Sequence, residues 1–142
     1  MIIFVTKVLR DYNICAINTL VYLSWKRGGS VTVDSGQNSF RRGVMSLVIL
    51  ALLQKEDMYG YQLVQQTAEQ SGGRIVTQEG SLYPVLYKLL EQGYISDSKV
   101  QVGKRMTRIY YHLEPTGQQR LLELIAEYQQ ISQGIVSILD LD

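Results

Sequence analysis

Residues 77–93 read TQEGSLYPVLYKLLEQG, and the fold turns on them. Leu82, Leu86 and Leu89 recur at three- and four-residue intervals, the spacing of one helix face, with Val85 and Leu90 flanking it. Ser81, Pro84, Tyr87, Lys88 and Glu91 fall on the opposite side. A proline inside a helix loses its own hydrogen bond and clashes with the carbonyl four residues back. Pro84 therefore predicts a helix starting near residues 80–81, with Thr77 or Ser81 as its cap. The first turn then offers a hydroxyl, a phenol and free backbone N–H groups, with a lysine one turn on. Such groups suit docking on a phosphate-lined groove.

Downstream of Gly93 the period changes from helical to alternating. YISDSKVQV (94–102) and MTRIYYHL (106–113) are strand-like runs joined around Gly103, Lys104 and Arg105, which predicts a hairpin. Between Ser98 and Leu113 lie Lys99, Lys104, Arg105 and Arg108 with no acidic residue, the one concentrated positive feature of the chain. A solvated turn accounts for lysine and arginine there equally well. Following directly on the presented helix, however, the hairpin takes the place of the wing of a winged helix.

Upstream, YGYQLVQQTAEQSGG (59–73) predicts a helix with Leu63, Val64, Thr67 and Ala68 inward, closed by Gly72 and Gly73. It pairs with the helix at 77–93 as a helix-turn-helix, joined by an extended bridge at Arg74, Ile75 and Val76. KEDM (55–58) reads as a polar connection to a further helix, RRGVMSLVILALLQ (41–54), apolar nearly all round from Val44 to Leu53. In so small a domain that breadth suggests a partner chain covering part of it. Arg41 and Arg42 sit at its start, where cations oppose the helix dipole; contact with an anion and plain solvation account for them equally.

Pro115 opens the last long helix, on which Leu121, Leu124, Tyr128, Ile131, Ile135 and Ile138 step by three and four. This seam is under three heptads long and contains Gly134, which argues against an isolated coiled coil. Either it packs on its own domain or it meets a partner. Flanking Leu122, Ile125, Val136 and Leu139 widen the apolar band beyond what one neighbour needs and favour the partner.

The first forty residues are unlike the rest. Lys7, Arg10 and Asp11 interrupt their apolar run before it reaches membrane-spanning length, and no signal-peptide pattern is evident. KRGGSVTVDSGQNS (26–39) has the composition of a linker. A docked strand or helix, a membrane-surface segment and a poorly structured extension, the last consistent with an upstream start codon, are the three readings of this region. The extension is the preferred one, and no function is assigned to it.

The chain of 142 residues carries a net charge of +1, and residues 39–142 hold ten Lys/Arg against eleven Asp/Glu. Affinity for nucleic acid would therefore rest on a local patch. Cys15 is the only cysteine, which excludes an intrachain disulfide and fits a reducing compartment. With His112 as the only histidine, no metal-ligand cluster is expected. There is no glycine-rich phosphate cradle and no paired nucleophile and base, so neither catalysis nor a cofactor is expected.

From residue 40 onward the chain resembles the PadR-type winged-helix transcriptional regulators. RRGVMSLVILALL and YGYQLV match the first two helices, and EGSLYPVLYKLLEQGYI matches the recognition helix. GKRMTRIYYHLEPTG matches the wing, and the single short C-terminal helix is similar to that of the family's smaller branch. The resemblance implies a mainly α fold with a small β-hairpin, a winged helix-turn-helix over 40–114 and a dimerisation helix over 115–142, with 1–39 as the extension. It implies a homodimer whose recognition helices enter successive major grooves of a pseudo-palindromic operator in double-stranded DNA.

Ser81 stands where the family usually has threonine, and Tyr83, Pro84 and Lys88 fall on matching positions of the recognition helix. Tyr61 and Gln62 open the second helix, where contacts to the DNA backbone are implied, and Arg42 joins the candidate contacts. Lys104 and Arg105 match the basic wing tip, while Arg108 is separated by Ile109 from the Tyr110–Tyr111 pair. Leu121, Leu124, Tyr128, Ile131, Ile135 and Ile138 become the candidate dimer interface. Some relatives line an effector pocket with an aromatic residue of the last helix, for which Tyr128 is the candidate. The implied function is a cytoplasmic repressor released by a small-molecule effector, with no membrane partner. The near-neutral charge of the domain supports a second reading, a winged-helix protein-interaction module without DNA binding.

Overall fold

In the computed structural model residues 35–141 are described, with side chains from residue 44 onward. The reading of residues 1–34 lies outside the described residues. The first helix, α1 (Ser35–Leu53), begins inside the stretch that reads as linker. Serine, glutamine and asparagine each cost well under about 1 kcal/mol in a helix. A helix nucleated by the apolar run after them therefore extends backward with little penalty.

A two-residue strand, β1 (Met58–Tyr59), leads into α2 (Gly60–Gln70), and α3 (Glu79–Glu91) follows after an irregular turn. Helix α2 buries Leu63, Val64, Thr67 and Ala68, the stripe expected from its spacing. Helix α3 buries Leu82, Leu86 and Leu89. Its start falls earlier than Pro84 suggests, because the Gln78 carbonyl accepts from both the Ser81 and Leu82 N–H groups, at 3.0 and 3.1 Å. Neither Thr77 nor Ser81 caps it: Gln78 is the N-cap residue and makes no side-chain cap bond. Pro84 therefore falls in the second turn, as the sixth helical residue, and cannot donate to the Gly80 carbonyl four residues back. Gly93, at φ 73°, closes the helix: the Tyr94 N–H reaches the Leu89 carbonyl and the Gly93 N–H that of Leu90.

Strands β2 (Ile95–Val102) and β3 (Met106–Leu113) form the hairpin, with Val102 opposite Met106 across a three-residue turn. The sheet is antiparallel in the order β1–β3–β2, and β1 pairs Met58 with Tyr111 and Tyr59 with Tyr110. Strand β1 is not foreshadowed by the residue pattern, since two residues cannot display an alternation. Its existence depends on the edge that β3 offers.

Last comes α4 (Pro115–Ile138), with proline in its first turn where the missing N–H costs nothing. One core joins all these elements: Met45, Ile49, Leu50 and Leu53 of α1 meet Met58, Leu63, Leu82, Leu86, Leu89, Ile95, Tyr111 and Leu121. Each fully buried side chain of this size contributes roughly 1.5–3 kcal/mol.

Leu121 corrects an expectation. It is 1 % exposed and belongs to the core of its own chain, and Leu124 packs partly buried against that core. Both lie on the segment of α4 that docks on the domain; Leu121 has no surface left for a partner, whereas Leu124 keeps part of its side chain exposed. Farther along, Tyr128 (52 % exposed), Ile131 (62 %), Ile135 and Ile138 (82 %) remain open, as do Leu122, Ile125 and Leu139.

Candidate nucleic-acid interface

Helix α3 fixes its orientation with its three buried leucines and thereby turns Ser81, Pro84, Tyr87 and Lys88 to solvent. Tyr83 is half-buried between the helices: a Cβ added to Gly60 would lie 3.0 Å from its Oη. Its ring also lies near that of Tyr87, centroids 6.3 Å apart. Tyr83 therefore anchors α3 on the start of α2 and is only partly free to touch a ligand.

The first turns of α2 and α3 and the turn-proximal half of β3 enclose an open cleft of about 460 Å³. Tyr59, Gly60 and Tyr61 line one side, Glu79 and Tyr83 another, and Thr107, Arg108 and Ile109 the third. Tyr111 lies at the cleft, and burial, with the neighbouring Tyr83, Tyr87 and Asp97, pushes its phenol up to about 12. It stays neutral at any physiological pH.

The sequence-derived candidates divide into groups. Tyr61, Tyr83 and Arg108 come together at this cleft. Ser81, Pro84 and Lys88 lie on the exposed side of α3 beside it, and Lys104 and Arg105 project from the hairpin turn. Gln62 is drawn aside, its amide donating to Glu56 at 3.5 Å. Arg42 lies on the backbone of α1, and its side chain falls outside the described residues.

Cations that serve the fold are committed elsewhere. Arg120 pairs with Glu123 and Glu127, Arg74 donates to the Ser71 carbonyl, and Lys55 donates to Gln70. Among the described residues, Lys88, Lys99, Lys104 and Arg105 form no ion pair, and all four lie on α3 or the hairpin. Arg108 differs from them: its guanidinium carbon sits 4.4 Å above the centre of the Tyr59 ring. Sequence reading missed Tyr59, because nothing in the local pattern links it to a residue on another strand.

His112, set aside as structural, sits on the far end of β3 and bonds Asp57 at 2.7 Å through Nδ1. That bond and the carboxylate's charge raise its pKa above the ordinary histidine value. It ties the turn after α1 to the sheet and takes no part in the cleft.

A helix-turn-helix followed by a hairpin, with unpaired cations on the presented helix and the hairpin, defines a winged helix-turn-helix. The chain belongs to the transcriptional regulator PadR-like family, whose model matches residues 49–134. That agrees with the expectation that the chain is not an enzyme. A PadR family transcriptional regulator from Eggerthella lenta superposes with a TM-score of 0.63 at 28% identity, over 73% of this chain and 88% of that one. The negative transcriptional regulator PadR of Bacillus subtilis is 27% identical over 92 residues, 65% of this chain and 50% of that protein. The same protein, solved in complex with operator DNA, superposes with a TM-score of 0.54 at 28% identity, over 58% of this chain and 47% of that one. This chain thus spans about half the length of Bacillus subtilis PadR. No helix among the described residues is long and apolar enough to cross a membrane.

Proposed function

We propose that this chain is a homodimeric, sequence-specific DNA-binding repressor acting in the cytoplasm, released from its operator by a small-molecule effector. One observation carries the reading: among the residues whose side chains are described, the four lysines and arginines with neither an ion pair, a hydrogen bond nor a ring contact all lie on α3 and the hairpin. With a net charge of −1 over residues 39–142, affinity for a polyanion has to come from such a local set. Ser81, Pro84, Tyr87 and Lys88 would meet base edges and phosphates in the major groove, with Lys104, Arg105 and Arg108 on the flanking backbone. Tyr61 and Gln62 would touch phosphates at the start of α2, and Arg42 those near α1.

Dimerisation is supported by the exposed band Tyr128–Ile131–Ile135–Ile138 with Leu122, Ile125 and Leu139, a run of apolar surface along one helix that water does not favour. Two protomers joined there would present two α3 helices to half-sites one helical turn apart. Tyr128, in this band, is the aromatic residue on which an effector at the seam would stack. The division follows: a DNA-binding unit over 40–114 and a dimerisation helix over 115–142.

Selection of bound fragments from genomic DNA, followed by footprinting, tests this reading. Enrichment of an inverted repeat with half-sites about 10 base pairs apart is expected. Recovery of no enriched site, with a partner protein captured instead, would favour the interaction module.

A further inference from the structure

We propose that Tyr59 is a positioning residue for DNA contact, holding Arg108 at the edge of the cleft so that its guanidinium meets a phosphate. The proposal rests on the DNA-binding reading above and adds a residue that the family resemblance does not assign.

Tyr59 lies opposite Tyr110 in the sheet, and Arg108 sits two residues before Tyr110 on β3. Alternation along a strand puts Arg108 and Tyr110 on one face, with Arg108 diagonal to Tyr59. The Tyr59 ring is steadied by the edge of Tyr110, centroids 5.4 Å apart and planes at 66°. On its face rests the guanidinium of Arg108, 4.4 Å from the centroid. A guanidinium held over a ring in this way is tethered by the contact, while the N–H donors that the ring does not engage stay free for an anion. Glu79 lines the same cleft, yet no ion pair joins it to Arg108.

Lys88, Lys99, Lys104 and Arg105 are exposed and lack such a support. They would give up side-chain freedom when DNA binds, whereas Arg108 has given up much of it on folding. Tyr59 thus sets the reach of a cation beside the first turn of α2. It also explains how Arg108 can serve although Ile109 separates it from the tyrosine pair.

The test is fluorescence anisotropy of the full chain with a labelled mixed-sequence duplex of about 30 base pairs, titrated across salt concentrations. Tyr59→Phe keeps the ring and should bind within about twofold of the wild type. Tyr59→Leu should weaken binding about three- to tenfold and flatten the salt slope by up to about one, matching Arg108→Ala. The double variant should bind no more weakly than Arg108→Ala alone. Wild-type affinity and slope in Tyr59→Leu, or losses that multiply in the double variant, would overturn the proposal.

Should Tyr59→Leu fail to fold, the Arg108 Hε resonance of the wild type decides: a ring-current shift is expected, and a free-arginine value overturns the proposal. A wild type without salt-sensitive binding would sink the DNA reading itself, an outcome distinct from a wild type that binds but is indifferent to Tyr59.

Discussion

Gly117 and the carbonyl of Tyr94 meet where the hairpin gives way to α4: a Cβ built on Gly117 would lie 2.0 Å from the Tyr94 oxygen and 2.8 Å from Leu113 Cδ1. The joint is tied by the Glu114 N–H donating to that same Tyr94 carbonyl and by the Thr116 hydroxyl donating to Gly93. Glycine there allows α4 to leave the sheet at the angle that carries Leu121 into the core. Gly117→Ala should therefore cost about 3 kcal/mol, since backbone and not a flexible side chain must yield. Urea denaturation measures it, and a loss under about 1 kcal/mol would contradict this account of the joint. Gly60→Ala is the contrast, because it meets only the phenol end of Tyr83 and should change stability by less than about 1 kcal/mol.

Leu121 and Ile131 share one apolar stripe but answer to different neighbours. Leu121→Ala empties part of the protomer core and should destabilise folding by about 2–5 kcal/mol. Ile131→Gln and Ile138→Gln change exposed positions and should leave protomer folding within about 0.5 kcal/mol while weakening self-association. Thermal unfolding and sedimentation velocity separate the two effects. Unchanged association in the paired glutamine variant would remove this face from the dimer.

The Asp57 bond raises the pKa of exposed His112, so the protonated imidazole is favoured in the folded state. Its stabilising contribution is fully present below the ordinary histidine pKa of about 6.5 and is lost as pH rises through the raised folded value. Asp57→Asn should return the His112 titration, followed by NMR, toward the ordinary value. A midpoint in the wild type at or below that of Asp57→Asn would contradict the pairing.

Periodicity made the four helices and the hairpin legible, because Leu82, Leu86 and Leu89 or Ile95 and Tyr111 each carry the period of their own element. Residues whose role depends on a distant strand were not legible in this way. Tyr59 gains its meaning from Tyr110 and Arg108, and β1 exists only against β3. Spacing also placed Leu121 and Ile131 on one seam, since a helical stripe does not distinguish the chain's own core from an open surface. The start of α3 was displaced for a simpler reason: Gln78 offers its carbonyl to two N–H groups, which the position of Pro84 does not reveal.

On the proposed function, α3 and the hairpin form one cationic surface for a DNA duplex. The most direct test is the salt dependence of binding for the wild type and for the Lys104→Ala, Arg105→Ala double variant. Loss of two phosphate contacts should weaken binding to every sequence and flatten the slope of log K against log salt by up to about 1.8. A slope unchanged from the wild type would contradict it.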